Sequence, residues 1–151
     1  MRKVVTNCFL IKENKICLAM KKRGLGVGLW NGTGGKIQEG ETVVEAARRE
    51  AKEELGVDLG QLESRGEVLF VFEDDFEVFV YLFLCYQWQG EPSESEEMAP
   101  EWFDIEKIPY EMMWQTDKHW LPVVLRGTSI KAVFHFNADK KTVKNFDLKE
   151  I

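Results

Sequence analysis

The sequence predicts one α/β or α+β domain, and three observations predict it. The runs at 66–72 (GEVLFVF) and 77–87 (EVFVYLFLCYQ) are rich in Val, Phe and Tyr, side chains that suit a half-buried pleated surface. Residues 42–55 carry Ala46, Ala47, Ala51 and Leu55 as an apolar stripe among charged neighbours, the pattern of a helix lying close on a sheet. The chain of 151 residues is one domain by size and buries a proper core without disulfides or metal staples. No linker and no internal repeat divides 1–151.

In chain order, residues 3–12 and 15–22 read as two strands joined at Glu13-Asn14, a hairpin. A Gly-rich stretch at 24–35 follows, ending in Gly34-Gly35, where positive φ is expected to allow close approach of a ligand. The helix over 42–55 opens with Thr42 as N-cap and with Glu41 near the positive end of its dipole. Gly56 supplies a left-handed C-cap. The two strong strands come next, separated by Glu73-Asp74-Asp75, and then a loop over 90–97 and a short strand near 101–104. A second helix over 117–126 carries Trp120, Leu121 and Leu125, with Pro122 expected near its first turn, where proline is tolerated. Strands near 129–137 and 142–149 close the chain.

The chemistry sits on the first helix. Glu50, Glu53 and Glu54 stand at i, i+3 and i+4, which stacks three carboxylates on one face. Such like-charge pairs each cost roughly 0.2–0.5 kcal/mol in an isolated helix, so a compensating cation is expected. Mg²⁺ fits, since it takes oxygen ligands, keeps several waters and is commonly held by carboxylates together with substrate phosphates. Taken alone, E-x-x-E-E is most often a solvated helix face. The fixed positions around it, Gly35, Glu41, Arg49 and Gly56, single this one out.

Residues 35–57, GKIQEGETVVEAARREAKEELGV, resemble the signature of the Nudix hydrolases, G-x5-E-x7-R-E-U-x-E-E-x-G-U with U a bulky aliphatic residue. Ala51 is the one departure, apolar but small. Lys21-Lys22-Arg23-Gly24, Gly28, Trp30-Asn31-Gly32, Ser95-Glu96-Glu97-Met98, Pro100, Trp102-Phe103, Ile108-Pro109 and Met113-Trp114 resemble the oxidised purine nucleoside triphosphatase branch, nearly end to end. The resemblance implies a mixed sheet sandwiched between helices. It also implies attack near the β-phosphorus of a nucleoside triphosphate, giving the monophosphate and pyrophosphate, with Mg²⁺ as cofactor and Mn²⁺ as a substitute.

The same resemblance assigns the site. Glu50, Glu53 and Glu54 hold the metal, with Glu97 completing it and the Gly34 carbonyl as a further ligand. Glu53 or Glu54 accepts the proton of the attacking water, and the sequence does not choose between them. Arg49 orients a carboxylate through a bidentate pair. Asn31 offers donor and acceptor to a purine edge. Trp114 stacks on the base, and Phe70, Phe72, Met98 and Trp120 line the pocket, although Phe70 and Phe72 are equally readable as core. Thr6, Thr116 and Asp117 fall at positions that face the base, and Lys21 lies on the substrate side. Two departures stand out: Thr116-Asp117 replaces an acidic pair, and Leu25 replaces a phenylalanine. His119 and His135 have no metal-ligand spacing and read as structural.

Composition agrees without identifying anything. Hydrophobic content of 44% and charged content of 30% are ordinary for a globular chain. A formal net charge of −6 argues against a nucleic-acid polymer as partner and requires local positive charge for a triphosphate, from the metal and from Lys21, Lys22, Arg23 and Lys36. Cys8, Cys17 and Cys85 are scattered through apolar runs, as reduced, buried thiols. Thr6, Asn7 and Lys12 interrupt the N-terminal run too early for a signal peptide, and no stretch approaches the ~18 apolar residues that cross a membrane. A cytoplasmic monomer is expected. Two other readings stay open: a Nudix pyrophosphatase of another substrate class, such as ADP-ribose or dinucleoside polyphosphates, and a catalytically silent nucleotide-binding domain.

Overall fold

Strand β1 (Arg2–Lys12) explains the layering of the molecule. Its Cys8 and Leu10 pack in one cluster with Ala47, Ala51 and Leu55 of helix α1 (Val43–Leu55). Its Phe9 and Ile11 pack in another with Trp120, Leu121 and Val124 of helix α2 (Asp117–Leu125). Successive side chains of a strand point to opposite faces, so the two helices cover opposite sides of the sheet. Strand β6 (Glu77–Cys85) divides in the same way, Leu82 and Leu84 toward α2, Phe83 and Cys85 toward α1. Burial on both faces is why its sequence is continuously apolar rather than alternating.

The computed structural model describes residues 1–151. Its main sheet is eight-stranded and mixed. From one edge it runs through β10 (Val143–Glu150), β9 (Ile130–Phe136), β5 (Leu62–Val71), β6, β1, β2 (Lys15–Lys21) and β3 (Trp30–Asn31), with β8 (Met98–Asp104) paired along β2. Strand β1 pairs in parallel with β6 from Arg2 to Leu10, but it holds β2 only at the hairpin end, from Leu10–Lys12 to Cys17–Lys15. Beyond that point the two strands part. The gap beside β1 is filled by residues 33–36: Cys8 and Thr33 exchange backbone hydrogen bonds of 2.7 and 2.9 Å, and the Thr6 N–H donates to the Gly35 carbonyl at 2.9 Å. This insertion sets the start of the acidic segment directly against the central strand.

Helix α1 starts with a capping box. Thr42 Oγ1 accepts from the Glu45 N–H at 3.1 Å, and Glu45 Oε1 accepts from the Thr42 N–H at 2.8 Å. It ends where Gly56 turns left-handed at φ 73°. In α2, Pro122 lies in the helix interior rather than near the first turn. It withdraws one N–H from the ladder, a loss the helix survives because Trp120, Leu121 and Val124 are fully buried. Strand β5 begins earlier than its apolar core, at Leu62, continuing across a register shift between Ser64 and Gly66. The pair β4 (Asp58–Leu59) and β7 (Trp88–Gln89) forms a separate small sheet, too short to show periodicity in sequence.

All three cysteines are free and buried. Burial pushes the Cys8 and Cys17 thiols up, Cys17 to about 12. His119 packs on Phe146 with ring centroids 4.4 Å apart, a structural role as read. No helix is long and apolar enough to cross a membrane.

Candidate active site

Arg49 organises the acidic face of α1. Its Nε and Nη2 donate to the two oxygens of Glu41 at 2.7 and 3.1 Å, and Nη2 also reaches the Lys36 carbonyl at 3.0 Å. Its Nη1 donates to Glu50 at 2.9 Å and to Glu53 at 3.2 Å. The bidentate pair expected of Arg49 is therefore made with Glu41. Glu41, whose expected place was beside the helix dipole, is instead the anchor of this arginine and also accepts from the Gln38 N–H. Through Arg49 the loop 36–41 is fixed to the helix that follows it.

The three helix glutamates differ in environment. Glu53 is the open one, with a side chain 57% exposed against 15% for Glu50. Glu54 is buried; its Oε1 accepts from Thr33 Oγ1 at 2.7 Å and from the Gly34 N–H at 2.9 Å, leaving Oε2 free. Burial is the largest cause that pushes the Glu54 carboxyl up, to about 7, with Glu50 adding to it and the Thr33 and Gly34 hydrogen bonds opposing. Glu50 is also pushed up, again chiefly by burial, with Arg49 opposing. Glu50 and Glu53 both turn to Arg49, so the three side chains share a face without closing into a three-ligand cluster.

Gly34 and Gly35 do not adopt positive φ, contrary to the expectation for them. Closeness is what requires glycine there. A Cβ on Gly35 would stand 2.7 Å from the Glu50 carboxyl carbon, and one on Gly34 would collide with the Thr6 carbonyl. The Gly34 carbonyl receives no backbone hydrogen bond. Glu97 stands apart from the helix carboxylates, paired with Arg23 through a 3.0 Å Nε contact that helps hold it below the usual carboxylate range. Lys21 pairs with Met98 of β8 at the end of β2, and its charge favours the ionised forms of Glu54 and Glu97.

Beside this face opens a cavity of about 150 Å³. Thr6, Lys21, Asn31, Gly34, Phe70, Phe72, Met98, Trp114, Asp117 and Trp120 line it, so the structure brings nine of the ten residues expected to contact substrate into one place. Thr116 is the exception. It is fully buried and does not line the cavity; its hydroxyl donates to Asp117 Oδ1 at 2.9 Å. Position 116 therefore stands behind Asp117 and does not face the cavity. Trp120 Nε1 donates to the same Oδ1 at 3.2 Å. Asp117 Oδ2 and Thr6 Oγ1 are buried with no protein partner, and buried polar groups left unpaired are rare enough to call for an explanation. Burial pushes the Asp117 carboxyl up to about 7 against the pull of its two hydrogen bonds.

Asn31 is less versatile than its side chain suggests. Its Oδ1 accepts from Asn7 Nδ2 at 2.9 Å and from the Gly32 N–H at 2.8 Å, so the amide donors are what it retains for a ligand. Asn7, which also lines the cavity, is the residue sequence reasoning missed. The signal was present: Val5, Phe9 and Ile11 belong to the apolar face of β1 on the α2 side, and Asn7 is the polar member of that alternating series. Phe70 and Phe72 serve core and cavity together. Phe72 stacks on Phe136 at 4.8 Å while Phe70 meets the same ring edge-on at 5.6 Å. Trp114 is half-buried, and the loop over 24–29 lies against it so closely that a Cβ on Gly26 would stand 3.1 Å from Nε1. Leu25, Gly26 and Leu29 of that loop complete the wall.

The acidic face of α1 thus adjoins an apolar cavity with a few polar tips, on a sheet covered by helices on both faces. Residues 1–124 match the NUDIX domain, and the chain belongs to the Nudix family. It is 41% identical over 144 residues to the oxidized purine nucleoside triphosphate hydrolase of Danio rerio, spanning 95% of this chain and 92% of that protein. It is 37% identical over 150 residues to the protein of the same name in Mus musculus, spanning 99% and 96%. A crystal structure of a mutator MutT protein from Bacillus halodurans superposes with a TM-score of 0.86 at 27% identity, over 97% of each chain. The α+β sandwich and the hydrolase family expected from sequence are both met.

Proposed function

We propose that this chain hydrolyses oxidised purine nucleoside triphosphates of the 8-oxo-dGTP type to the monophosphate and pyrophosphate, with Mg²⁺ as cofactor and Mn²⁺ able to replace it. The observation that carries the reading is the pair of unpartnered buried atoms, Asp117 Oδ2 and Thr6 Oγ1, in an aromatic cavity that adjoins the carboxylate helix. A flat, polar-edged base satisfies them and leaves its phosphates at Glu50, Glu53 and Glu54. The names of the Danio rerio and Mus musculus relatives point the same way.

The residues present fit a divalent ion. Glu50, Glu53 and Glu54, with the unused Gly34 carbonyl, are hard oxygen donors, and burial together with Glu50 already strains Glu54 toward protonation. A cation held there lowers the pKa of bound water and offsets charge on the phosphoryl oxygens. Arg49 positions Glu50 and Glu53. Glu54, fixed by Thr33 and Gly34 with Oε2 free, is the better placed proton acceptor of the two candidates, and Glu53 faces solvent. Glu97, paired with Arg23 in this structure, would complete the metal site, and Lys21 would meet the phosphates. Trp114 stacks on the base, Asp117 and Asn31 read its edge, and Phe70, Phe72, Met98 and Trp120 form the apolar wall. The reading includes a cytoplasmic monomer without a nucleic-acid polymer or membrane as partner, in keeping with the net charge of −6.

Pyrophosphate release measured across 8-oxo-dGTP, dGTP, ADP-ribose and a dinucleoside tetraphosphate, with and without Mg²⁺, tests the reading. The highest kcat/KM is expected on the oxidised purine triphosphate, and only with metal. Preference for ADP-ribose or the dinucleoside compound would replace the substrate class, and binding without turnover on all four would make the domain a silent one.

A further inference from the structure

Asn7 of β1 and Asn31 of β3 are joined by one hydrogen bond, Asn7 Nδ2 to Asn31 Oδ1 at 2.9 Å, and the Gly32 N–H decides which way both amides point. A backbone N–H can only donate, so the Asn31 atom that meets it at 2.8 Å is the oxygen. That oxygen can only accept, so the Asn7 atom facing it is the nitrogen. Asn31 is left with its amide donors, and Asn7 with Oδ1, which its single side-chain bond does not occupy. Gly32 seats that oxygen, because a Cβ at position 32 would collide with it. All three residues line the cavity, beside a face of β1 whose other members, Val5, Phe9 and Ile11, are apolar. A polar side chain in that series calls for an explanation, and the bond to Asn31 uses only one of its two polar groups.

We propose that Asn7 is a specificity-determining residue: its Oδ1, beside the Asn31 amide nitrogen, forms an acceptor–donor pair that reads the purine edge altered by oxidation at C8. The ligand rests on the reading of the cavity as a purine site; the orientation of the two amides does not. In undamaged guanine O6 and N7 are both acceptors. A carbonyl at C8 turns N7 into an N–H, so the same edge becomes one acceptor beside one donor. Asn31 donates to O6 of either base. Asn7 Oδ1 accepts from the N7–H of the oxidised base but meets a lone pair on N7 of the undamaged one, and two facing acceptors leave both unpaired. Asp117 Oδ2, which has no protein partner, serves the ring N–H and amino group at the far end of the base. The O6–N7 edge is then the one left for the amide pair.

The test measures binding of 8-oxo-dGMP, dGMP and 8-bromo-dGMP to the full chain with Mg²⁺, by calorimetry. Monophosphates report on the base without turnover, and 8-bromo-dGMP carries bulk at C8 while N7 stays an acceptor. The parent is expected to bind 8-oxo-dGMP roughly tenfold or more tightly than either of the others. Asn7→Leu keeps side-chain volume on the apolar face and should cut that preference about tenfold, by weakening 8-oxo-dGMP and not dGMP. Asn7→Ala repeats the comparison if leucine disturbs packing. Asn7→Asp no longer donates to Asn31 but still offers an acceptor to N7–H, so it should bind all three nucleotides less tightly and keep the preference. Kinetics on 8-oxo-dGTP and dGTP should place the loss for Asn7→Leu in KM, with kcat unchanged. Equal losses of preference in Asn7→Leu and Asn7→Asp would mean that Asn7 only orients Asn31, and a parent that binds 8-bromo-dGMP as tightly as 8-oxo-dGMP would mean that bulk at C8 is what is read; either result overturns the proposal. If the parent prefers 8-oxo-dGMP and the leucine and alanine variants keep that preference, the purine site stands and the role of Asn7 fails. If the parent binds none of the three, the purine reading of the cavity fails and the role of Asn7 with it.

Discussion

The carboxylate face of α1 and the cavity beside it are adjacent in space and built on opposite principles. The first is assembled within one stretch of chain, from Thr33 to Gly56, where the Arg49 guanidinium joins Glu41, Glu50, Glu53 and the Lys36 carbonyl and where Thr33 and Gly34 hold Glu54. The second draws its wall from β1, β2, β3, β5, β6, β8, α2 and the loop over 24–29, with polar residues as far apart in sequence as Thr6, Asn31 and Asp117. One is rich in carboxylates and reaches open water at Glu53. The other is apolar, with a few unpaired polar atoms buried in it. A locally encoded, charged face suits a reaction at phosphate, which every nucleotide shares. A cavity assembled from distant elements can vary at single residues without altering the charged face.

The largest expected effect would break the comparison at its charged half. Glu53→Gln or Glu54→Gln should lower kcat by on the order of 10²–10⁴-fold, the range for loss of a positioned acid or base, with nucleotide affinity reduced far less. The amide oxygen introduced by Glu54→Gln can still accept from Thr33 and the Gly34 N–H, so the fold should persist by circular dichroism. Near-parent turnover in both variants would remove the helix face from the mechanism. On the aromatic side, Trp114→Ala should weaken nucleotide binding by about 1–3 kcal/mol, the range for base–aromatic stacking, with metal affinity unchanged by calorimetry. If binding of the preferred triphosphate were as tight as in the parent, Trp114 would be wall and not platform.

How much of each region was legible in the sequence follows from the same contrast. The acidic helix could be read residue by residue, because caps, stripe and carboxylates all obey the one period of a helix, and the capping box and αL cap confirm both ends. What escaped there was geometric: Gly34 and Gly35 serve close approach of Thr6 and Glu50 rather than an unusual φ, and Glu41 serves Arg49. The sandwich was visible in outline. The parting of β1 from β2, which admits residues 33–36, was not, because pairing between distant segments leaves no periodic trace. In the cavity the wall residues were found through resemblance, but their roles shifted. Thr116 proved to stand behind Asp117, Asn31 proved to have its acceptor already occupied by Asn7, and both depend on rotamers that no sequence spacing encodes.

Stability without metal offers a sharper separation of the halves. Glu54 and Asp117 both have folded-state carboxyls pushed up to about 7, above ordinary values of about 4.3 and 3.9. The folded chain therefore holds these protons where the unfolded chain has lost them, and stability falls as pH rises through the unfolded values toward about 7. Glu41, Glu97, Asp74 and Asp139 are held below the usual range, so their contributions are lost only at lower pH. In EDTA, Glu54→Gln and Asp117→Asn should each gain about 1–2 kcal/mol relative to the parent between mildly acidic and mildly alkaline pH, measured by denaturant melts. Saturating Mg²⁺ should erase the gain for Glu54→Gln and leave that for Asp117→Asn. Erasure of both, or of neither, would mean that the two regions are not electrostatically separate.

The smallest effect concerns Asn7, whose side chain is tied to Asn31. The Asn7 Nδ2 donates to Asn31 Oδ1 at 2.9 Å, and that bond, with the Gly32 N–H on the same oxygen, turns the Asn31 amide group toward the cavity. Asn7→Ala removes one donor and leaves Gly32 to hold the oxygen alone, so the amide can rotate and present either end. The loss expected is about 0.5–1.5 kcal/mol in nucleotide affinity, the net worth of one neutral hydrogen bond. Asn7→Asp supplies no donor at all and places a carboxylate against Asn31 Oδ1, so the amide should flip and discrimination between guanine-type and adenine-type edges should fall further than in Asn7→Ala. Competition kinetics on the two oxidised purine triphosphates distinguish the cases. Equal discrimination in parent, Asn7→Ala and Asn7→Asp would show that Asn31 keeps its orientation through Gly32 alone, and that the cavity, like the acidic helix, relies on a contact made within a single turn of chain.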